Sequence, residues 1–319
     1  MKKVERNLKL IEWIQITQSM IFVASVLVPY FQFRGLEFSE ILLLQSIFAI
    51  ASMVLEFPSG YLSDKFGRKK TLNIAYFALC LAVFIFYMGS SFAILAFAEL
   101  TFALGYSLVS GTVSALLYES LEELKRVDEY SKILGANTHK ALLTVALSGI
   151  VGGVIAHFIS LRVTVALTLI AFSVSFVLSF ILVEVKEIKK RGISDDIKDF
   201  KSIVSNSELI YIATFVSMIF AFNQVSFWYY QPYFKAVGVE LFYFGFIFAS
   251  FQMVASIGSK YAHKVQNKFT SVEIFKFIAV MIVISLFGMG WSFSLFGLAF
   301  VYLQQLVRGF FFVLVDSYM

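Results

Sequence analysis

The chain reads as an all-α polytopic membrane protein of ten apolar helices in two pseudo-symmetric halves, six in the first and four in the second. Three observations predict this. Of 319 residues, 59% are hydrophobic and 15% charged. An average soluble domain carries about 25% charged residues, so much of this surface faces something other than water. Long apolar stretches recur along the chain, each near the roughly 20 residues a bilayer requires. The basic residues, finally, alternate between the loops in a way that only a membrane explains.

The ten spans fall at about 8–33, 40–63, 70–89, 92–118, 138–159, 163–184, 208–234, 240–260, 272–291 and 294–317. The loops between them are short except for 119–137 and 185–207. The N-terminus, Met1-Lys2-Lys3-Val4-Glu5-Arg6, is basic and runs at once into a span too long for a signal peptide's apolar core. With no small-residue cleavage site after it, it is read as an uncleaved first helix. Of the 26 Lys and Arg, 22 lie in the N-terminal segment and the 2–3, 4–5, 6–7 and 8–9 loops. Arg34, Arg162 and Lys235 are on the other side, and Arg308 is within the tenth span. Such asymmetry places the N-terminus and those loops in the cytoplasm. The net charge of +5 is then topogenic, and no nucleic-acid partner is needed to explain it. The lone cysteine, Cys80, sits in an apolar span, which excludes a disulfide framework and a CxxC site.

An internal repeat supports two halves. The first span ends in Pro29-Tyr30-Phe31 with Gly35 four residues on, and the seventh in Pro232-Tyr233-Phe234 with Gly238 four residues on. The expected organisation is a six-helix half over 1–184, a cytoplasmic linker over 185–207 and a four-helix half over 208–319.

Between the second and third spans lies Glu56-Phe57-Pro58-Ser59-Gly60-Tyr61-Leu62-Ser63-Asp64-Lys65-Phe66-Gly67-Arg68-Lys69-Lys70. Gly60, Asp64, Lys65, Gly67, Arg68 and Lys69 meet every defined position of G-x-x-x-D-(R/K)-x-G-R-(R/K). This closely resembles the loop 2–3 signature of the major facilitator superfamily. The resemblance implies a twelve-helix secondary transporter working by alternating access, so the ten spans suggest that the last two helices are missing. It also implies that Asp64 contacts helix 11 at a cytoplasmic gate. Arg68 would pair with an acid at the cytoplasmic end of helix 4, for which Glu119 is the match. Glu56, Gly60 and Asp64 share one side of the second span, with Gly60 permitting close helix approach and Gly67 the tight turn.

A charge at mid-membrane costs on the order of 2.5–3.5 kcal/mol on insertion scales, so each is a functional candidate. Glu99 can bind a cation or exchange a proton; the alternative is a protonated carboxyl hydrogen-bonded to a neighbouring helix. Arg308 either holds an anionic substrate group or pairs with Glu99 or Glu56, and Gln304 and Gln305 extend its polar face. Glu12, Gln15 and Gln18 share a face of the first helix. On the seventh, Asn223, Gln224 and Tyr230 are similarly polar. By resemblance, helices 1, 4, 7 and 10 line the central cavity, and these are the spans where intramembrane polar groups concentrate. Helix–helix hydrogen bonding is the competing explanation for each such residue.

Ser148-Gly149-Ile150-Val151-Gly152-Gly153 partly resembles an antiporter motif without its proline, and small residues at a helix crossing explain it better. Trp228-Tyr229-Tyr230 reads as an interfacial belt or an aromatic wall. No converging His, Asp, Glu or Ser pattern suggests an enzyme, a metal site or a cofactor. The reading is a proton-coupled carrier of a small amphipathic or apolar solute, exporting by resemblance. It is placed as a monomer in the cytoplasmic (inner) membrane, with lipid and protons as its other partners. The competing class is a non-transporting truncated protein, a membrane-embedded binding protein or an enzyme on the same scaffold.

Overall fold

A computed structural model describes residues 2–185, 207–266, 268–269 and 271–318, and every described regular element is helical. The chain folds as two compact units, Met1–Ile193 and Ser194–Met319. The linker expected at 185–207 lies, apart from its two edge residues, outside the described residues.

In the first unit the helices are α1 (Lys2–Gln18), α2 (Leu27–Phe33), α3 (Phe38–Phe66), α4 (Arg68–Met88), α5 (Phe92–Glu123), α6 (Tyr130–Phe158) and α7 (Leu161–Ile181). In the second they are α8 (Ser207–Ala236), α9 (Leu241–Gln266), α10 (Ser271–Trp291) and α11 (Leu298–Tyr318). Among the described residues, five stretches are long and apolar enough to cross a membrane: Phe38–Glu56, Arg68–Met88, Phe92–Glu123, Val127–Phe158 and Leu161–Ile181. Their outward faces carry Ile50, Met53, Phe77, Phe97, Leu147 and Val177, all exposed. A helix with apolar side chains on its outer surface as well as its inner one is built for lipid.

Two expectations need correction. The first span is not one helix. It breaks after Gln18 and resumes through a 3-10 turn, Ala24–Val26, into α2. The break lies where α6 crosses. A Cβ on Gly152 would collide with the Phe22 carbonyl, and Ser25 Oγ donates to the Gly149 carbonyl at 2.9 Å. The Ser-Gly-rich stretch of α6 therefore serves close approach, as the small-residue explanation anticipates, and it meets unwound backbone there. Nor is 119–137 a long loop. α5 runs on to Glu123, a 3-10 turn covers Val127–Glu129, and α6 starts at Tyr130. Burial of Ser120 and Leu121 holds the extension of α5 in place.

The repeat is visible in the backbone. Gly35 (φ +92°) and Gly238 (φ +82°) take the left-handed conformation that glycine reaches without a Cβ penalty. Leu36 N–H bonds the Phe31 carbonyl and Gly35 N–H that of Gln32; Val239 and Gly238 repeat this with Phe234 and Lys235. Both ends are Schellman caps. The matched tyrosines also do the same work. Tyr30 Oη donates to the Phe86 carbonyl at 2.5 Å, and Tyr233 Oη to those of Ser292 and Ser294 at 2.7 and 2.8 Å. Each bonds carbonyls at the end of the third long helix of its own unit; those of Ser292 and Ser294 also accept backbone N–H groups, from Ser294 and Gly297.

Candidate functional site

The turn between α3 and α4 is a single residue. Gly67 (φ +89°, ψ +151°) ends one helix and caps the next. Beside it Arg68 is clamped on several sides. Its Nη1 meets Asp64 at 2.5 Å and Ser63 Oγ at 2.8 Å, while its Nε and Nη2 reach Glu119 Oε1 at 2.9 and 2.8 Å. Charge-assisted bonds of this kind are the strong ones, and a guanidinium fork fixes geometry as well as energy. Ser63 in turn accepts from Thr112 Oγ1 at 2.9 Å, tying α3 to α5. Lys65 lies over the rings of Tyr61 and Phe66.

Sequence reading missed Glu184 altogether. It follows α7 and reaches back to α4, where its carboxylate accepts from Arg68 N–H at 2.7 Å and Lys69 N–H at 3.0 Å. A negative group on the first free N–H donors of a helix is favourable through both hydrogen bonding and the helix dipole. A Cβ on Gly67 would lie 2.9 Å from Glu184 Oε2. The adjoining strand of chain is fixed by Asn7, whose amide exchanges two hydrogen bonds with the Val183 backbone (2.8 and 3.0 Å) and donates to Ser120 Oγ. Gly60, by contrast, has nothing within 4 Å of a would-be Cβ, so the close approach expected there is not found among the described residues. Glu56 accepts from Ser110 Oγ at 2.7 Å.

Deeper in the first unit, Gln15, Gln18, Ser19, Tyr106 and Thr138 line a cavity of about 310 Å³. A smaller one of about 160 Å³ shares Gln15, Gln18 and Tyr106 and adds Ser110 and Ser114. Gln18 Oε1 accepts from Tyr76 Oη at 3.0 Å, whereas Gln15 Oε1 is a buried acceptor with no partner among the described residues. Glu12 is set apart from them by an ion pair with Lys140 at 2.5 Å. Glu99 is 4% exposed and accepts from Gln45 Nε2 at 2.8 Å, with no cation paired to it among the described residues.

In the second unit the expected polar residues gather around Tyr230. Its hydroxyl donates to Gln304 Oε1 at 2.7 Å and accepts from Gln305 Nε2 at 3.0 Å. Gln304 Nε2 lies 3.5 Å from Asn223 Oδ1, and Arg308 Nη2 donates to Gln252 Oε1 at 3.1 Å. Phe227, Phe234 and Phe251 surround the Tyr230 ring. Trp228 and Tyr230 are thus interior, which corrects the belt reading; Tyr229 alone of the three is exposed. Gln224 is exposed and stands outside the cluster. Gln252, on α9, was not singled out by the sequence because a lone polar residue in an apolar run has no partner until the fold supplies one.

A family profile described as Major Facilitator Superfamily matches residues 14–319. The chain belongs to the Major Facilitator Superfamily. It is therefore a multi-pass helical membrane protein of a transporter family. Similar solved structures agree on the fold. The nucleoside transporter NupG (D323A mutant) is 12% identical with a TM-score of 0.80, covering 98% of this chain and 81% of that one. A D-xylose-proton symporter is 14% identical with a TM-score of 0.68, covering 97% and 80%. A bacterial homolog to the human lysosomal transporter Spinster, inward-facing and unoccupied, is 12% identical with a TM-score of 0.71, covering 99% and 74%. No protein of curated function matches by sequence.

Proposed function

We propose that this superfamily member carries a small amphipathic or apolar solute by alternating access of two halves, with Glu99 exchanging the coupling proton. The observation that carries this reading is a carboxyl 4% exposed within a membrane-spanning helix and bonded, among the described residues, only to the neutral Gln45. A carboxyl held by a neutral donor can take up and release a proton without breaking an ion pair. The cavity on Gln15, Gln18 and Tyr106 supplies polar groups on an aromatic ground, suited to an amphipathic solute. Proton coupling has a precedent on this fold in the D-xylose-proton symporter.

The proposed orientation puts the N-terminus, the Arg68 turn and the other basic loops in the cytoplasm of a prokaryote's inner membrane. There the Asp64, Arg68 and Glu119 cluster, capped by Glu184, acts as the rigid edge of a cytoplasmic gate. Export follows from resemblance alone. The test is proton flux in proteoliposomes challenged with a panel of amphipathic solutes. Glu99→Gln keeps an oxygen to accept from Gln45, so the variant is expected to fold and bind but to lose pH dependence of transport. Unchanged pH dependence removes Glu99 from the mechanism, and no solute-driven flux in the parent protein rejects transport.

A further inference from the structure

A guanidinium has five N–H donors and cannot shed its charge. On α11, Arg308 is partly buried and uses one of them, toward the neutral Gln252; no carboxylate meets it among the described residues. The acids that the sequence offers as partners are engaged in their own unit, Glu99 by Gln45 and Glu56 by Ser110. Charges in membrane-spanning helices are retained where they meet a counter-charge or a ligand. We propose that Arg308 binds the carboxylate of an amphipathic organic acid. The apolar body of the acid would rest on Phe227 and Tyr302, the part-exposed rings beside the Tyr230 cluster. Planar carboxylates fit the guanidinium fork through two parallel bonds, a geometry that ammonium and amide groups do not match.

This deepens the transport reading and rests on it, because it names the head group that the carried solute bears. Binding to the purified full chain is the readout, so failure of transport and failure of this assignment are separable. The probes are 4-phenylbutyrate, its amide and 4-phenylbutylamine, which share one apolar body, with the midpoint of thermal unfolding followed in detergent. The acid is expected to raise the midpoint by a few degrees, with no shift from the amide or the amine. Arg308→Gln should lose that shift, and Arg308→Lys should keep part of it. Without ligand, Arg308→Gln should unfold at the parent's temperature or above, because it removes a charge that lacks a counter-charge. A marked drop instead would mean that Arg308 closes an internal ion pair, and the assignment fails. It fails equally if the amide matches the acid, if the amine alone binds, or if none of the three shifts the parent protein.

Discussion

Replacing Gly67 by alanine tests the physics of the α3–α4 turn. At φ +89° and ψ +151° the backbone occupies a region that is essentially glycine's own, and holding a side chain there costs on the order of 1–3 kcal/mol. The new methyl would also lie 2.9 Å from the Glu184 carboxylate. Pushing that group away removes the cap on Arg68 N–H and Lys69 N–H, worth about 1 kcal/mol as a helix cap. The expected loss is therefore roughly 2–4 kcal/mol for Gly67→Ala. Glu184→Gln alone, which loses the charge and one of the two accepting oxygens, should cost about 1–2 kcal/mol. Unfolding of both variants and the double variant in mixed micelles provides the measurement. The double variant should cost less than the sum of the two, because the shared cap can be lost only once. Strict additivity would show that the cap is not shared, and a Gly67→Ala loss below about 0.5 kcal/mol would show that neither strain nor the cap is as described.

Other outcomes follow from the same geometry. Gly152→Ala drives a methyl into the Phe22 carbonyl and should destabilise by about 1–3 kcal/mol as an overpacked contact; parent-like stability would mean that the helix break moves freely. Tyr30→Phe and Tyr233→Phe each remove the donor to carbonyls at a helix end. Losses of about 1–2 kcal/mol, similar in the two variants, are expected in the same unfolding assay. Unequal losses would mean that the repeated motif plays different parts in the two units. Arg68→Lys keeps the charge but not the fork on Glu119, and should weaken the α4–α5 junction where Arg68→Ala breaks it; equal effects of the two would reduce that cluster to a point charge.

Much of this was readable from residues alone. Apolar run lengths place the long helices because lipid imposes one length on every span. Gly67 and the Pro-Tyr-Phe repeats announce their turns because glycine and proline act locally. What escaped is set by tertiary contacts. Ser19 to Val23 contains no proline or glycine, so its break is imposed by Gly149 and Gly152 of α6, about 130 residues away along the chain. Glu184 looks like the start of a charged linker until α7 brings it beside α4. Gln15, Gln18, Tyr230, Gln304, Gln305 and Arg308 were expected to line one transport cavity; Gln15 and Gln18 border a cavity of the first unit, and the other four make polar contacts within the second. Glu12 and Gln224 stand apart from those groupings. Helical periodicity gives a shared face but not what that face meets.

Alternating access requires Gln15 to line a water-filled path that opens to each side of the membrane in turn. Cys80 is the sole cysteine, so Cys80→Ala gives a clean background for Gln15→Cys and an impermeant maleimide applied from either side. Labelling from both sides, with reaction from one side suppressed when the protein is trapped open to the other, is the predicted result. Labelling from one side only under all conditions, or none from either, would contradict alternating access.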